Sequence, residues 1–221
     1  MSKKPHIVVI DPAVVKPELE ALNRLSHISP LPLTYHLPGL YGSRSLIQEG
    51  EGVKGIIVMG SAISVHERTD WQKSLEEWLD PWMAKAVPTF GICYGHQMIA
   101  HHFGGEIDHA LPTKEKRRGM REVELSANRL WGKQVTGNFC ISHNEVVRVV
   151  PAGFEVVGRS KDVEIDAIAH KTLPIWSFQF HPEAGPEFIN RVGYIHPNDD
   201  DPFEYGTNLI RHYLEFVKKN K

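Results

Sequence analysis

The stretch GICYGHQ, residues Gly91 to Gln97, holds one of only two cysteines in a chain of 221 residues. It ends the apolar run VPTFGIC (Val87–Cys93) and opens YGHQMIAHHFGG, a helical pattern that Gly104 and Gly105 stop. A nucleophilic side chain between glycines two positions away on each side, at a strand-to-helix turn, is the form of a nucleophile elbow, with Cys in place of Ser. A turn this sharp leaves no space for bulky residues at either glycine. It also puts the thiol at a helix N-terminus, where unpaired N–H groups and the helix dipole favour the thiolate. The N–H of Tyr94, the next residue, is free to face an oxyanion.

Outward from this turn, the first half alternates buried strands with amphipathic segments. HIVVID (His6–Asp11), VKGIIVMG (Val53–Gly60) and VPTFGIC read as strands, β-branched or apolar and bounded by Pro or Gly. Between the last two, Leu75, Trp78, Leu79 and Trp82 fall at helical spacing, with Pro81 expected to kink or break the helix. Strand, helix, strand, helix predicts an α/β fold: a mostly parallel, doubly wound sheet with helices on both faces. The second half adds strand-like runs, expected as extra antiparallel strands: REVELS, NFCISHNEVVRVV, FEVVGRS, DVEIDAIAH and PIWSFQF. A last helix is expected over GTNLIRHYLEFVKKN, where Leu209, Ile210, Tyr213, Leu214 and Val217 share a face. KEKRRG (Lys114–Gly119) reads as a solvated loop, and NDDDP (Asn198–Pro202) as an acidic lead-in to that helix. Without a repeat or low-complexity linker, residues 1–221 read as one domain.

Composition narrows the function classes. Net charge is −2, with 41% hydrophobic and 24% charged residues, so neither a nucleic-acid partner nor membrane attraction is expected. No run approaches the roughly 20 apolar residues of a membrane span, and the N-terminus lacks a signal-peptide pattern. Two cysteines form no disulfide framework, so a reducing, cytoplasmic setting with a free thiol is expected. His96, His101 and His102 share a helix without metal-ligand spacing, so no metal and no cofactor are expected. Cys140 lies inside an apolar strand and reads as core.

A base for Cys93 is found in SFQFHPEAG (Ser177–Gly185). His181 and Glu183 are two apart, and Pro182 biases His181 towards extended backbone, so both side chains point the same way. Glu183 can then fix the imidazole and leave its other nitrogen for the thiol: nucleophile, base and orienting acid.

GICYGHQMIAHHFGG together with FQFHPE resembles the class I glutamine amidotransferases, in particular the glutaminase domain of GMP synthase and its stand-alone relatives, over nearly the whole chain. The resemblance implies their flavodoxin-like fold and hydrolysis of the glutamine side-chain amide through a γ-glutamyl thioester. It gives Cys93 as nucleophile, His181 as acid/base and Glu183 as orienting acid. It also implies an oxyanion loop at Gly60-Ser61-Ala62, with the backbone N–H groups of Ser61 and Tyr94 as donors. Ser61 and Ala62 stand where the family usually has Gly and Pro, a departure that bears on how the loop is held. Gly60, Gln97, Ser142 and His143 match positions that contact substrate, the last two through their backbone. The small-molecule partner is then glutamine or a γ-glutamyl compound, and the released ammonia would go to a separate synthase subunit. Two alternatives stand beside this reading: a γ-glutamyl peptidase or hydrolase using the same residues, and a catalytically silent regulatory module.

Overall fold

A computed structural model describes residues 4–193 and 203–220. The first strand, β1 (His6–Ile10), is fully buried and is followed by α1 (Leu19–Ile28), β2 (Leu33–His36) and two short helices, α2 (Pro38–Tyr41) and α3 (Arg44–Ile47). Next come β3 (Val53–Val58), α4 (Asp70–Ala84), β4 (Thr89–Ile92) and α5 (Tyr94–His102). The second half holds β5 (Glu106–His109), β6 (Arg117–Leu125), β7 (Val135–His143), β8 (Glu145–Val149), β9 (Phe154–Arg159), β10 (Ala167–His170) and β11 (Ile175–Phe178). It closes with α6 (Pro186–Val192) and α7 (Glu204–Lys219).

Nine strands form one sheet in the order β2-β1-β3-β4-β11-β10-β9-β6-β7. From β2 to β11 neighbours are parallel, and from β11 to β7 they are antiparallel. The expected doubly wound α/β architecture with added antiparallel strands is therefore what forms. Alternation along β1 shows the two faces. Ile7 and Val9 pack with Leu25 of α1 and Leu209, Tyr213 and Val217 of α7, whereas Val8 and Ile10 pack with Leu75 and Leu79 of α4 and Ile99 of α5. Among the described residues no helix is long and apolar enough to cross a membrane.

Four expectations about elements change. Helix α4 runs through Pro81 to Ala84, because Pro81 sits on an exposed side, where its neighbours can accommodate the missing N–H bond. KEKRRG is only half loop: Arg117 to Gly119 pair with Ile141 to His143 as the start of β6. NFCISHNEVVRVV is two strands, since the chain turns at Asn144 and β8 leaves to pair with β5 in a separate two-stranded sheet. In DVEIDAIAH only Ala167–His170 is strand. The acidic stretch Asn198–Pro202 lies outside the described residues.

One long-range closure bears directly on the elbow. His181, beyond β11, donates its backbone N–H to the carbonyl of Cys140 in β7 at 2.8 Å, so the sheet's last strand comes back to its middle.

Candidate active site

Cys93 sits between the end of β4 and the start of α5 with φ +50° and ψ −97°. Such a backbone is sparsely populated for a residue with a Cβ and costs on the order of 1–3 kcal/mol. The surroundings hold it there. Its N–H donates to Phe178 of β11 at 2.7 Å, and its carbonyl accepts the first bond of α5 from Gln97 at 3.0 Å. A Cβ on Gly91 would lie 2.6 Å from Ile99 Cδ1, and one on Gly95 would collide with the Val58 carbonyl. Both glycines are therefore required by close approach, as the sequence pattern predicts. Tyr94 begins α5, so its N–H has no acceptor within the helix.

His181 and Glu183 follow β11, the parallel neighbour of β4. Nδ1 of His181 and Oε1 of Glu183 are 2.8 Å apart, with the two side chains 7% and 3% exposed, so this contact is well shielded from water. The imidazole packs on Phe188 with ring centroids 4.5 Å apart. Nε2 of His181 and Oε2 of Glu183 are buried and have no hydrogen-bond partner among the described residues. Burial by itself would lower the pKa of His181. The Glu183 carboxylate, followed by Cys93, more than offsets this and raises it above the ordinary 6.5.

Gly60 joins the two halves. A Cβ there would meet Cε1 of His181 at 2.8 Å and Cβ of Cys93 at 3.5 Å, so only glycine lets the loop pass over both. Ser61 turns its hydroxyl away, donating to the Pro12 carbonyl at 2.6 Å. That bond ties the loop after β3 to the loop after β1. Asp11 in turn anchors the β1 loop, accepting from the N–H groups of Ala13 and Glu18 and from the Tyr35 hydroxyl at 2.5 Å. A cavity of about 290 Å³ opens here, lined by Gly60, Ser61, Ala62, Ser142, His181 and Glu183 and walled by Ala13 to Lys16 and Phe188. Cys93, 4% exposed, does not itself line this cavity but lies against Gly60, which does.

The remaining residues singled out from sequence fall close by. The carbonyl of Ser142 is 3.9 Å from the Cys93 sulfur. His143 is 2% exposed, and its Nε2 takes a hydrogen bond from Arg121 at 3.0 Å. Burial first, and Arg121 second, hold its pKa well below 6.5, so it is a neutral side chain turned into the interior. Gln97 is buried, and its Nε2 serves the carbonyl of Glu145 at 2.8 Å and Oε1 of Gln179 at 3.3 Å. Gln179, which the sequence patterns do not single out, places its Nε2 3.8 Å from the Cys93 sulfur. Its place two residues before His181, just past the end of β11, was the available signal. A larger hollow of about 690 Å³ runs along β6, away from this cluster, and two of its arginines are engaged, Arg117 with Asp162 and Arg121 with Asp166.

The elbow, the parallel sheet beneath it and the paired imidazole define a class of protein, and comparison with known proteins agrees. Residues 41–189 match the family glutamine amidotransferase class-I. The glutamine-hydrolyzing GMP synthase subunit of Methanocaldococcus jannaschii is 34% identical over 149 residues, 66% of this chain and 73% of that protein. The glutamine-hydrolyzing GMP synthase of Enterococcus faecalis is 29% identical over 72% of this chain, a match spanning 26% of that longer enzyme. The crystal structure of a glutamine amidotransferase from Thermotoga maritima superposes with a TM-score of 0.73 at 16% identity, covering 98% of this chain and 99% of that one. The chain belongs to the class I glutamine amidotransferases, and among them it is similar to the glutaminase subunit of GMP synthase.

Proposed function

We propose that the chain hydrolyses the side-chain amide of glutamine, with Cys93 as nucleophile, His181 as acid/base and Glu183 as its orienting partner. One observation carries this reading: a buried imidazole held by a carboxylate, its second nitrogen unpartnered, next to a cysteine in a strained elbow. The Cys93 thiolate attacks the amide carbon, and the carbonyl oxygen takes the charge. The N–H groups of Ser61 and Tyr94 receive that oxyanion. His181 gives its proton to the amide nitrogen, the C–N bond breaks and ammonia leaves, with a γ-glutamyl thioester on the sulfur. Water then attacks the thioester, His181 takes its proton, and glutamate departs as the thiolate is restored. Gly60 gives substrate access to the sulfur, Ser142 and His143 hold the amino-acid end through their backbone, and Gln97 shapes the floor. The ammonia goes to an acceptor on a separate synthase subunit, a reading supported by the Methanocaldococcus relative, which is itself one subunit of its synthase.

The test is to incubate the purified chain with glutamine and, separately, with γ-glutamyl peptides, and to measure ammonia and glutamate. Glutamate and ammonia should form in equal amounts from glutamine, and His181→Ala should lower the rate by about two to three orders of magnitude. Cleavage of the peptides alone would make the chain a γ-glutamyl hydrolase instead. A Cys93 that no glutamine-analogue electrophile labels, with or without a synthase partner present, would make it a silent module.

A further inference from the structure

Two buried amides beside the sulfur settle each other's orientation. The carbonyl of Glu145 can only accept, so Gln97 must turn its NH2 group towards it. The same nitrogen lies 3.3 Å from the Gln179 side chain, which must therefore present its oxygen there. That leaves the NH2 group of Gln179 facing the Cys93 sulfur at 3.8 Å. A single backbone carbonyl thus decides the polarity of the whole relay, without reference to unseen hydrogens. Gln179 is 0% exposed, and its own N–H is fixed to the Asp166 carbonyl at 2.8 Å, so it has little freedom to turn elsewhere.

We propose that Gln179 is a further residue of the catalytic machinery, donating an N–H to the Cys93 sulfur in its thiolate form, with Gln97 as the positioning residue that holds the amide in that sense. The carbonyl of Ser142 also reaches the sulfur, at 3.9 Å, a partner for the protonated thiol only. The sulfur therefore has an acceptor beside it for one protonation state and a donor for the other. This inference rests on Cys93 being the nucleophile and deepens that reading, since it moves the role of Gln97 from substrate contact to control of the thiolate.

The experiment reads the sulfur directly. The rate of Cys93 alkylation by iodoacetamide is followed by mass spectrometry across pH, for the wild type and for Gln179→Leu and Gln179→Glu. Gln179→Leu should move the alkylation midpoint upward and slow labelling near neutral pH about tenfold or more, and Gln179→Glu should move it further by setting like charges together. Gln97→Leu should shift it in the same direction by less, and it gives the reading if neither Gln179 variant folds. In the wild type, the side-chain NH2 resonance of Gln179 should move as the thiol ionises. A profile unchanged in any folded variant, or a resonance that stays put, overturns the inference. Glutamine turnover by the same wild-type sample separates the two claims. Turnover with an unmoved profile removes only the role of Gln179, whereas a shifted profile without turnover removes only the glutaminase reading.

Discussion

The backbone N–H of Cys93 donates to the carbonyl of Phe178 at 2.7 Å, joining the elbow to the strand that delivers His181 three residues later. That rung seats the elbow against the chain leading to His181, whose own N–H is held by the Cys140 carbonyl at 2.8 Å. Neighbouring strands lie about 4.8 Å apart, a span that two short side chains can bridge.

Substitution at Cys93 should divide function from stability. Cys93→Ala and Cys93→Ser are expected to abolish glutamine turnover while circular dichroism keeps its native shape. Cys93→Gly should melt no lower than Cys93→Ala, because glycine relieves the positive φ. At an ordinary buried position the order would be reversed. A glycine variant clearly less stable than the alanine one would remove strain from the account of the elbow.

In the proposed mechanism Ser61 belongs to the oxyanion loop, and its hydroxyl ties that loop to the Pro12 carbonyl. Ser61→Ala removes the bond to Pro12, a neutral hydrogen bond of about 1 kcal/mol. If the loop's readiness depends on it, kcat should fall about fivefold with KM nearly unchanged. An equal rise in KM with steady kcat would point to substrate binding instead.

Stability should fall on both sides of neutrality, for opposite reasons. His181 keeps a proton in the folded chain that it gives up when unfolded, because Glu183 outweighs the opposing effect of burial. Its contribution is whole below pH 6.5 and is lost as pH climbs through the raised value. Burial drives His96 to about 3 and His143 well below 6.5. The unfolded chain therefore binds protons the folded one refuses, and each group withdraws up to about 1.4 kcal/mol per pH unit below 6.5. Urea midpoints across pH should show both limbs, and Glu183→Gln should flatten the alkaline one alone. An alkaline limb that survives in Glu183→Gln would have some other origin.

Arg121 and Asp166 form an ion pair with side chains 5% and 0% exposed, and Arg121 also supports His143. Arg121→Ala leaves a buried carboxylate without its partner and should cost about 3–5 kcal/mol in urea unfolding. Joint replacement by Met and Leu should recover most of that, since an apolar pair carries no desolvation cost. A double variant as weak as the single one would mean the pair is more than an electrostatic filler.

The elbow was legible because its requirements are local: two glycines, a strand before and a helix after. His181 and Glu183 do meet, but not through the extended backbone expected of them: Pro182 and Glu183 form a turn, closed by the Ala184 N–H on the His181 carbonyl at 3.3 Å, and the turn brings the carboxylate to Nδ1. Other elements hid behind weaker patterns. In α1, Ala21 and Leu25 are the two buried side chains, too sparse a stripe to mark a helix, and β2 has one fully buried residue. The break at Asn144 was masked because β7 and β8 are both apolar, although they belong to different sheets. Pro81 does not break α4, since the carbonyl deprived of an N–H partner belongs to Glu77, an exposed residue whose oxygen water can reach. Gln179 read as one more buried strand residue, since its meaning lies in Gln97 and Glu145, distant in sequence.

The bond from His181 to Cys140 gives the β6–β7 hairpin a hold over the site that none of its side chains exerts at the sulfur. A slip of one residue in β7 would bring Ile141 or His143 to the place of Ser142 and take away the carbonyl beside the thiol. Burial opposes such a slip, which would also turn Phe139 and Ile141 of β7 away from the core they now fill. The apolar grip on the ribbon therefore also keeps the nucleophile supplied with its acceptor, and on heating alignment and reactivity should be lost together.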